Sequence, residues 1–276
     1  MDVALPAPRT PWKVSVVVPT LDEETTVGDV LDAVRPHADE LLVIDGHSRD
    51  RTRAVALARG ARVLLDDGTG KGAAIRLGLR SAAHPIVVFI DADGSHEASD
   101  IPALVAPLQA GQAEIVIGSR MTGGSDELFS DLGEFVRLTG SMLINLAINY
   151  RWGVRLSDTQ NGFRAVVRDV GVGLGLTSDS TTIEQEMVMK ALSGGFRVAN
   201  VPSHEYRRKG GASKVLVARV WPAYVWNVLR HVLRPDLRRR PRSLPPAGQA
   251  PPPEPFAPVA PAAARLDGPL PERDLP

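Results

Sequence analysis

Asp91 and Asp93, separated only by Ala92 and followed by Gly94, close an apolar run in "VVFIDADGSH" (87–96). On a strand the two carboxylates would face opposite ways, but past its end the chain can turn them onto one cation. Such hard oxygen donors suit Mg²⁺ or Mn²⁺, ions that keep positions open for substrate phosphates. Taken in isolation, "DADG" is more often a solvated turn. Its surroundings change that reading. Asp45 in "VIDGHSRDRT" and Arg120 in "GSR" also close apolar runs, and "RRKGGASK" (207–214) combines four cations with two glycines. Glycines would let that segment fold over an anion.

These residues need elements to hold them. The β-branched runs "KVSVVVP" (13–19), "ELLVIDG" (40–46), "ARVLLDD" (61–67), "PIVVFIDAD" (85–93) and "AEIVIGSR" (113–120) read as strands. Helical segments over 25–35, 50–60, 70–83 and 100–110 separate them, giving strict alternation. The expected fold is α/β, a mostly parallel doubly wound sheet with helices on both faces. Ligands of such sheets bind beyond the carboxyl ends of the strands, where Asp45, Asp91, Asp93 and Arg120 fall. After residue 120 the rhythm changes. A loop over 121–132 precedes a long helix (133–150), and a loop enters a strand across 156–167. A helix over 181–195, a strand over 196–202 and a helix over 215–233 follow.

The chain of 276 residues suffices for one large α/β domain or two small ones. It has no cysteine, which excludes thiolate metal sites and fits a reducing compartment. A net charge of zero argues against nucleic acid as a bulk electrostatic partner. The opening "MDVALPAPRTPWK" lacks the apolar core of a signal peptide. No apolar run reaches the roughly 18 residues of a membrane span. From about 235 the chain is rich in Pro and Ala, holds about half of the 23 prolines, and is expected to be disordered.

The motifs "VVVPTLDEE", "VIDGHSRDRT", "GKGAAIRLG", "FIDADGSH", "GSR", "SDTQNGFRAV" and "VPSHEYRRKGGASK" occur in an order that resembles a family 2 glycosyltransferase of the GT-A, Rossmann-like fold. Within that family the chain is similar to dolichol-phosphate mannose synthases and other polyprenyl-phosphate hexosyltransferases. The resemblance implies a catalytic domain over 13–214, with a nucleotide-sugar half (13–120) and an acceptor half (121–214). A flexible segment (1–12) would precede it, and an amphipathic helix (215–234) and a disordered tail (235–276) would come after. By resemblance Pro19, Thr20, Glu23, Asp45, Lys71, Asp91, Arg208 and Lys214 contact the nucleotide sugar. Asp91 and Asp93 would hold the metal, and Gly211 and Ser213 belong to the loop that closes over the donor phosphates. The catalytic set is Asp93, Asp158 and Arg208. Where the family pattern places a second Asp after Asp45, this chain has Gly46, and His47 stands at the usual Gly.

The implied activity is metal-dependent transfer of a hexose from a GDP- or UDP-sugar to a polyprenyl phosphate, with inversion. Arg120, Arg137 and Ser141 match positions that grip the acceptor phosphate, and paired guanidiniums suit one. For Arg137 a solvated helix face is an equal alternative. An ionised phosphate needs little help from a base, whereas a hydroxyl acceptor would need one, Asp158 by position. Arg164 and Glu186 match recurrent positions and serve equally as buried ion-pair partners. Other activities on the same scaffold are a nucleotide-sugar pyranose–furanose mutase and transfer to a soluble natural-product acceptor. The last helix has a broad apolar face with two tryptophans and precedes "RRRPR". It suits an anionic membrane surface, the protein's own domain or a homodimer partner. The expected location is the cytoplasm, peripheral at the inner face of the membrane if that helix binds lipid.

Overall fold

Runs such as "VSVVVPT" and "IVVF" have no polar face, so they are stable only with both sides of the strand covered. The computed structural model, which describes residues 12–126, 132–209 and 217–232, buries both in the middle of one seven-stranded sheet. The first half runs β1 (Val14–Thr20), α1 (Val27–Val34), β2 (Glu40–Asp45), α2 (Thr52–Ala58), β3 (Arg62–Leu65), α3 (Lys71–Ser81), β4 (Ile86–Phe89), α4 (Ile101–Gln109) and β5 (Ile115–Ser119). The second half runs α5 (Arg120–Gly123), α6 (Leu132–Trp152), β6 (Arg164–Val167), α7 (Arg168–Gly173), α8 (Ile183–Ser193), β7 (Val198–Pro202) and α9 (Val217–Val232).

The strand order is β3-β2-β1-β4-β6-β5-β7. All neighbours pair in parallel except β6, which lies antiparallel between β4 and β5. The expected parallel, doubly wound sheet is therefore present, with one reversed strand in it. Helices α1, α2 and α4 pack on one face through Leu31, Ala56 and Leu104. On the other face α3, α6, α8 and α9 contribute Ile75, Ile148, Met187 and Val228.

Register delivers the site. Thr20 lies opposite Asp45, and Phe89 is paired on its two sides with Val17 and Arg164. Because β6 is reversed, its first residue and the preceding loop reach the edge where the parallel strands end. Strand β4 stops at Phe89, so Asp91 and Asp93 belong to the turn beyond it. Most of the predicted closing loop (210–216), the tail from 233 and residues 1–11 lie outside the described residues.

Candidate functional site

The tips of β1 and β2 make one end of the cleft. Asp45 is fully buried; its Oδ2 accepts from Thr20 Oγ1 at 3.3 Å and its Oδ1 from the Ser48 amide at 3.0 Å. Arg53 Nε stands 3.7 Å from the same carboxylate. Pro19 is the penultimate residue of β1, and Glu23 just beyond donates its amide to Thr52 Oγ1 at 2.8 Å. His47 takes the left-handed backbone that its glycine-like position requires, at φ 68°. A Cβ on Gly46 would lie 3.8 Å from Asp66 Oδ2, so the Asp66 carboxylate stands beside the place of the missing second acid. Burial pushes the Asp66 carboxyl above its ordinary value, with Asp45 adding to the push.

At the centre the two aspartates diverge. Asp91 Oδ1 meets Lys71 Nζ at 2.8 Å, and Lys71 also reaches Glu184 Oε1 at 2.8 Å. Burial alone would raise the Asp91 carboxyl, but Lys71 and His96 together outweigh it and hold Asp91 far below the usual carboxylate range. Lys71 in turn is held charged, its two carboxylates overcoming the burial that opposes them. His96 stacks on Phe163 with ring centroids 5.1 Å apart and brings Nε2 to 3.8 Å from Asp91 Oδ2. Its Nδ1 is buried without a hydrogen-bond partner among the described residues. Asp93 turns Oδ1 to Ser95, accepting from its amide at 3.0 Å and its hydroxyl at 2.6 Å, and leaves Oδ2 3.4 Å from Arg208 Nε. The Lys209 amide donates to the Asp93 carbonyl, which ties the start of the basic loop to this turn.

Two close approaches depend on glycine. A Cβ on Gly162 would come within 2.9 Å of both Asp91 Oδ2 and Lys71 Nζ. A Cβ on Gly72 would sit 2.0 Å from the Ser178 carbonyl oxygen, because the segment before α8 crosses over the start of α3. The Gly72 amide donates to the Asp179 carbonyl there. Glu186 holds that segment, accepting from the amides of Thr177 and Ser178 while paired with Lys190 at 2.6 Å.

The far end of the cleft is built on Arg120. Its Nε and Nη2 grip the two oxygens of buried Asp158 at 2.7 and 3.2 Å, and Nη1 stands 3.5 Å from Glu205. Asp158 Oδ1 also accepts from the amides of Gln160 and Asn161. Burial opposes its ionisation, yet Arg120 keeps it below the usual carboxylate range. Ser141 on α6 donates to Gln160 at 3.4 Å. Arg137 lies on α6 four residues earlier, and its side chain, like Lys214, Gly211 and Ser213, lies outside the described residues. Arg164 is fully buried and pairs with no carboxylate within salt-bridge distance among the described residues; it donates to the carbonyls of Asn161 and Glu184 instead. Arg164 and Glu186 thus position the loops around the cleft. Tyr224 of α9 reaches Thr181 Oγ1 at 2.8 Å, its phenol pushed up to about 12 by burial and the nearby Glu184 charge.

The structure therefore brings Thr20, Asp45, Lys71, Asp91, Asp93, Arg120, Asp158 and Arg208 to one edge of the sheet. Sequence reading passed over Glu184, Glu205, His96, Asp66 and Tyr224. A signal for Glu184 was present: "IEQEM" sets three polar residues in a row on a helix, and all three are buried. Among the described residues no three His, Asp or Glu side chains form a group able to hold a metal ion. Asp91 and Asp93 are hard oxygen donors of the kind Mg²⁺ or Mn²⁺ takes, and in this structure they face Lys71 and Arg208.

Comparison with known proteins matches residues 15–171 to the glycosyl transferase family 2 profile. Glycosyltransferase AglJ of Haloferax volcanii is 35% identical over 74% of this chain, which spans 66% of that relative's length. A dolichyl-phosphate hexose transferase of the same organism is 27% identical over 73% of this chain and 86% of its own. Among solved structures, glucosyl-3-phosphoglycerate synthase of Mycobacterium tuberculosis, in complex with Mn²⁺, UDP-glucose and phosphoglyceric acid, superposes with a TM-score of 0.62. It is 25% identical, with 82% of this chain and 81% of that one covered.

Proposed function

The chain belongs to glycosyl transferase family 2, and from that premise we propose that it transfers a hexose from a UDP- or GDP-sugar to a polyprenyl phosphate, inverting the anomeric carbon. The observation that carries this reading is the pairing of every carboxylate named at the centre and far end of the cleft with a cation. Asp91 and Glu184 face Lys71, Asp93 faces Arg208, and Asp158 and Glu205 face Arg120. A carboxylate held ionised by a guanidinium and two amides is a weak proton acceptor. A neutral hydroxyl nucleophile would have no ready base there. A phosphate oxygen needs none, since it is ionised at neutral pH.

Asp91 and Asp93 would hold Mg²⁺ or Mn²⁺, which when bound neutralises charge on the departing diphosphate. Arg208 adds a guanidinium beside the same turn, and Lys214 extends the basic segment beyond it. Lys71 fixes the Asp91 carboxylate and Glu184 at the floor, where sugar hydroxyls would lie. Thr20, Asp45 and Glu23 would orient the nucleoside. Arg120, Ser141 and Arg137 would receive the acceptor phosphate, with Asp158 positioning Arg120 rather than taking a proton. A single displacement by an ionised oxygen inverts the anomeric centre.

A second reading, transfer to a soluble phosphorylated acceptor, is favoured by the likeness to the synthase solved with phosphoglyceric acid. Purified protein with Mn²⁺, UDP- and GDP-hexoses and a short-chain polyprenyl phosphate separates the two. The expected product is a hexosyl phosphoryl polyprenol of inverted configuration by NMR. Turnover with phosphoglycerate alone would favour the second reading, and a rearranged sugar nucleotide would indicate a mutase.

A further inference from the structure

Among the described residues, helices α6 and α9 each bury one side and expose the other. On α6, Ile144, Asn145 and Ile148 face the core, while Met142, Leu143, Leu146 and Tyr150 are exposed, Leu146 at 63% and Tyr150 at 91%. Spacings of three and four place those four on a single stripe. On α9, Tyr224, Asn227 and Val228 turn inward, and Trp226 and Leu229 are exposed, Trp226 at 67%. The two helices pack against each other, Arg151 of α6 donating to the Val232 carbonyl at the end of α9. Both contribute to the same core cluster on one face of the sheet, and their exposed residues lie on the sides not packed into it.

We propose that these paired outer faces form a docking surface for an anionic lipid bilayer. Charge selects that occupant. Among the described residues the exposed stripes carry no acid, and exposed charges beside them include Arg155 beyond α6 and Arg230 on α9. The chain leaving α9 at Val232 continues as "LRPDLRRRPR", five arginines against one aspartate. Across a two-fold axis a second copy would set Arg155 and Arg230 against their own like, which repels. Anionic headgroups complement these arginines and the basic sequence that follows α9, and aromatic and leucine side chains beside arginines suit the headgroup–acyl boundary. Among the described residues no helix is long and apolar enough to cross a membrane, so the surface lies on the bilayer.

The purpose of this surface, though not its geometry, rests on the proposed lipid-linked acceptor. The same two helices carry Ser141 and Tyr224 to the cleft, so docking would bring the acceptor end close to the lipid. The test uses the full chain and its Leu143→Glu/Leu146→Glu variant, with folding checked by circular dichroism. Co-sedimentation is measured with phosphatidylcholine vesicles and with vesicles of phosphatidylcholine and phosphatidylglycerol in equal parts. The wild type should partition at least tenfold better onto the mixed vesicles, with tryptophan emission shifted to the blue and binding weakened by salt. The variant should lose at least tenfold of that partitioning, yet keep wild-type turnover on a short-chain polyprenyl phosphate without vesicles. Unchanged partitioning in the variant, no partitioning by the wild type, or a wild-type dimer that the variant dissolves would each overturn the proposal. The vesicle-free turnover assay reports on the acceptor separately, so the two readings fail independently.

Discussion

Asp93 and Asp91 stand two residues apart with different partners, so their removal should differ in effect. Asp93 contacts its own turn and Arg208, whereas Asp91 is bound to Lys71. Asp93→Ala is expected to abolish metal-dependent turnover and leave the thermal midpoint within a few degrees of wild type. Wild-type rates at saturating Mn²⁺ would remove it from the metal site. Gly162→Ala tests the floor of the cleft: its Cβ would press on Asp91 Oδ2 and Lys71 Nζ. Both are ends of side chains, so the fold should survive while kcat/KM for the nucleotide sugar falls at least tenfold, about 1.4 kcal/mol or more. Turnover kinetics and a melting curve check both parts. The carboxylate pair was legible in sequence because only Ala92 separates its two acids. The Arg120–Asp158 clamp was not, since its partners are 38 residues apart and meet only through the order of strands. Position in the sequence made Asp158 the candidate base for a hydroxyl acceptor; the structure adds that both its oxygens are held by Arg120.

At the scale of elements, the loop before α8 is fastened by Glu186 together with Arg76 and Tyr224. Glu186 receives Lys190 and the amides of Thr177 and Ser178, which together outweigh burial and hold its carboxyl at about 2 against an ordinary 4.5. A depressed folded-state pKa stabilises the protein above the unfolded value, and that stabilisation is lost as pH falls through the folded value. Glu186 should thus contribute about 3 kcal/mol above pH 4.5, lost progressively towards pH 2. Glu186→Gln should be less stable at neutral pH and show a shallower acid limb over that window, measured by urea titration. Equal acid limbs in the two proteins would contradict the assignment. The five parallel strands of the first half were readable because each is a short apolar run bounded by turns. The reversal of β6 was not. "RAVV" carries no mark of direction, and only its pairing with Ile86–Phe89 and Ile115–Ile117 reveals it. Helix α7 was missed for a related reason: three of its six residues are Gly or Asp, which predict a turn.

For the whole molecule, α9 is the last described element, and it packs on α6 and α8. Val228 and Asn227 are buried against α8 and its surroundings, with Asn227 donating to the Thr182 carbonyl at 3.1 Å. Deleting 235–276 is therefore expected to leave the melting temperature within a few degrees, and vesicle-free turnover within twofold, of wild type. Deleting from 217 onward should strip cover from α6 and α8 and lower the midpoint by several degrees or more. A long deletion as stable as the short one would mean that α9 is not part of the folded core. The reversed strand also has a consequence in time. As the chain leaves the ribosome, residues 14–89 can close a local parallel unit, β3-β2-β1-β4, from neighbouring crossovers. The β4 edge of that unit stays open until Arg164 arrives, more than seventy residues later, to pair with Phe89. Both aspartates of the turn are synthesised well before the loop and helix that oppose them. The nascent protein thus holds an unguarded edge beside a half-built cleft; β6 closes the edge, and the cleft is completed later, when α8 and the Arg208 segment arrive.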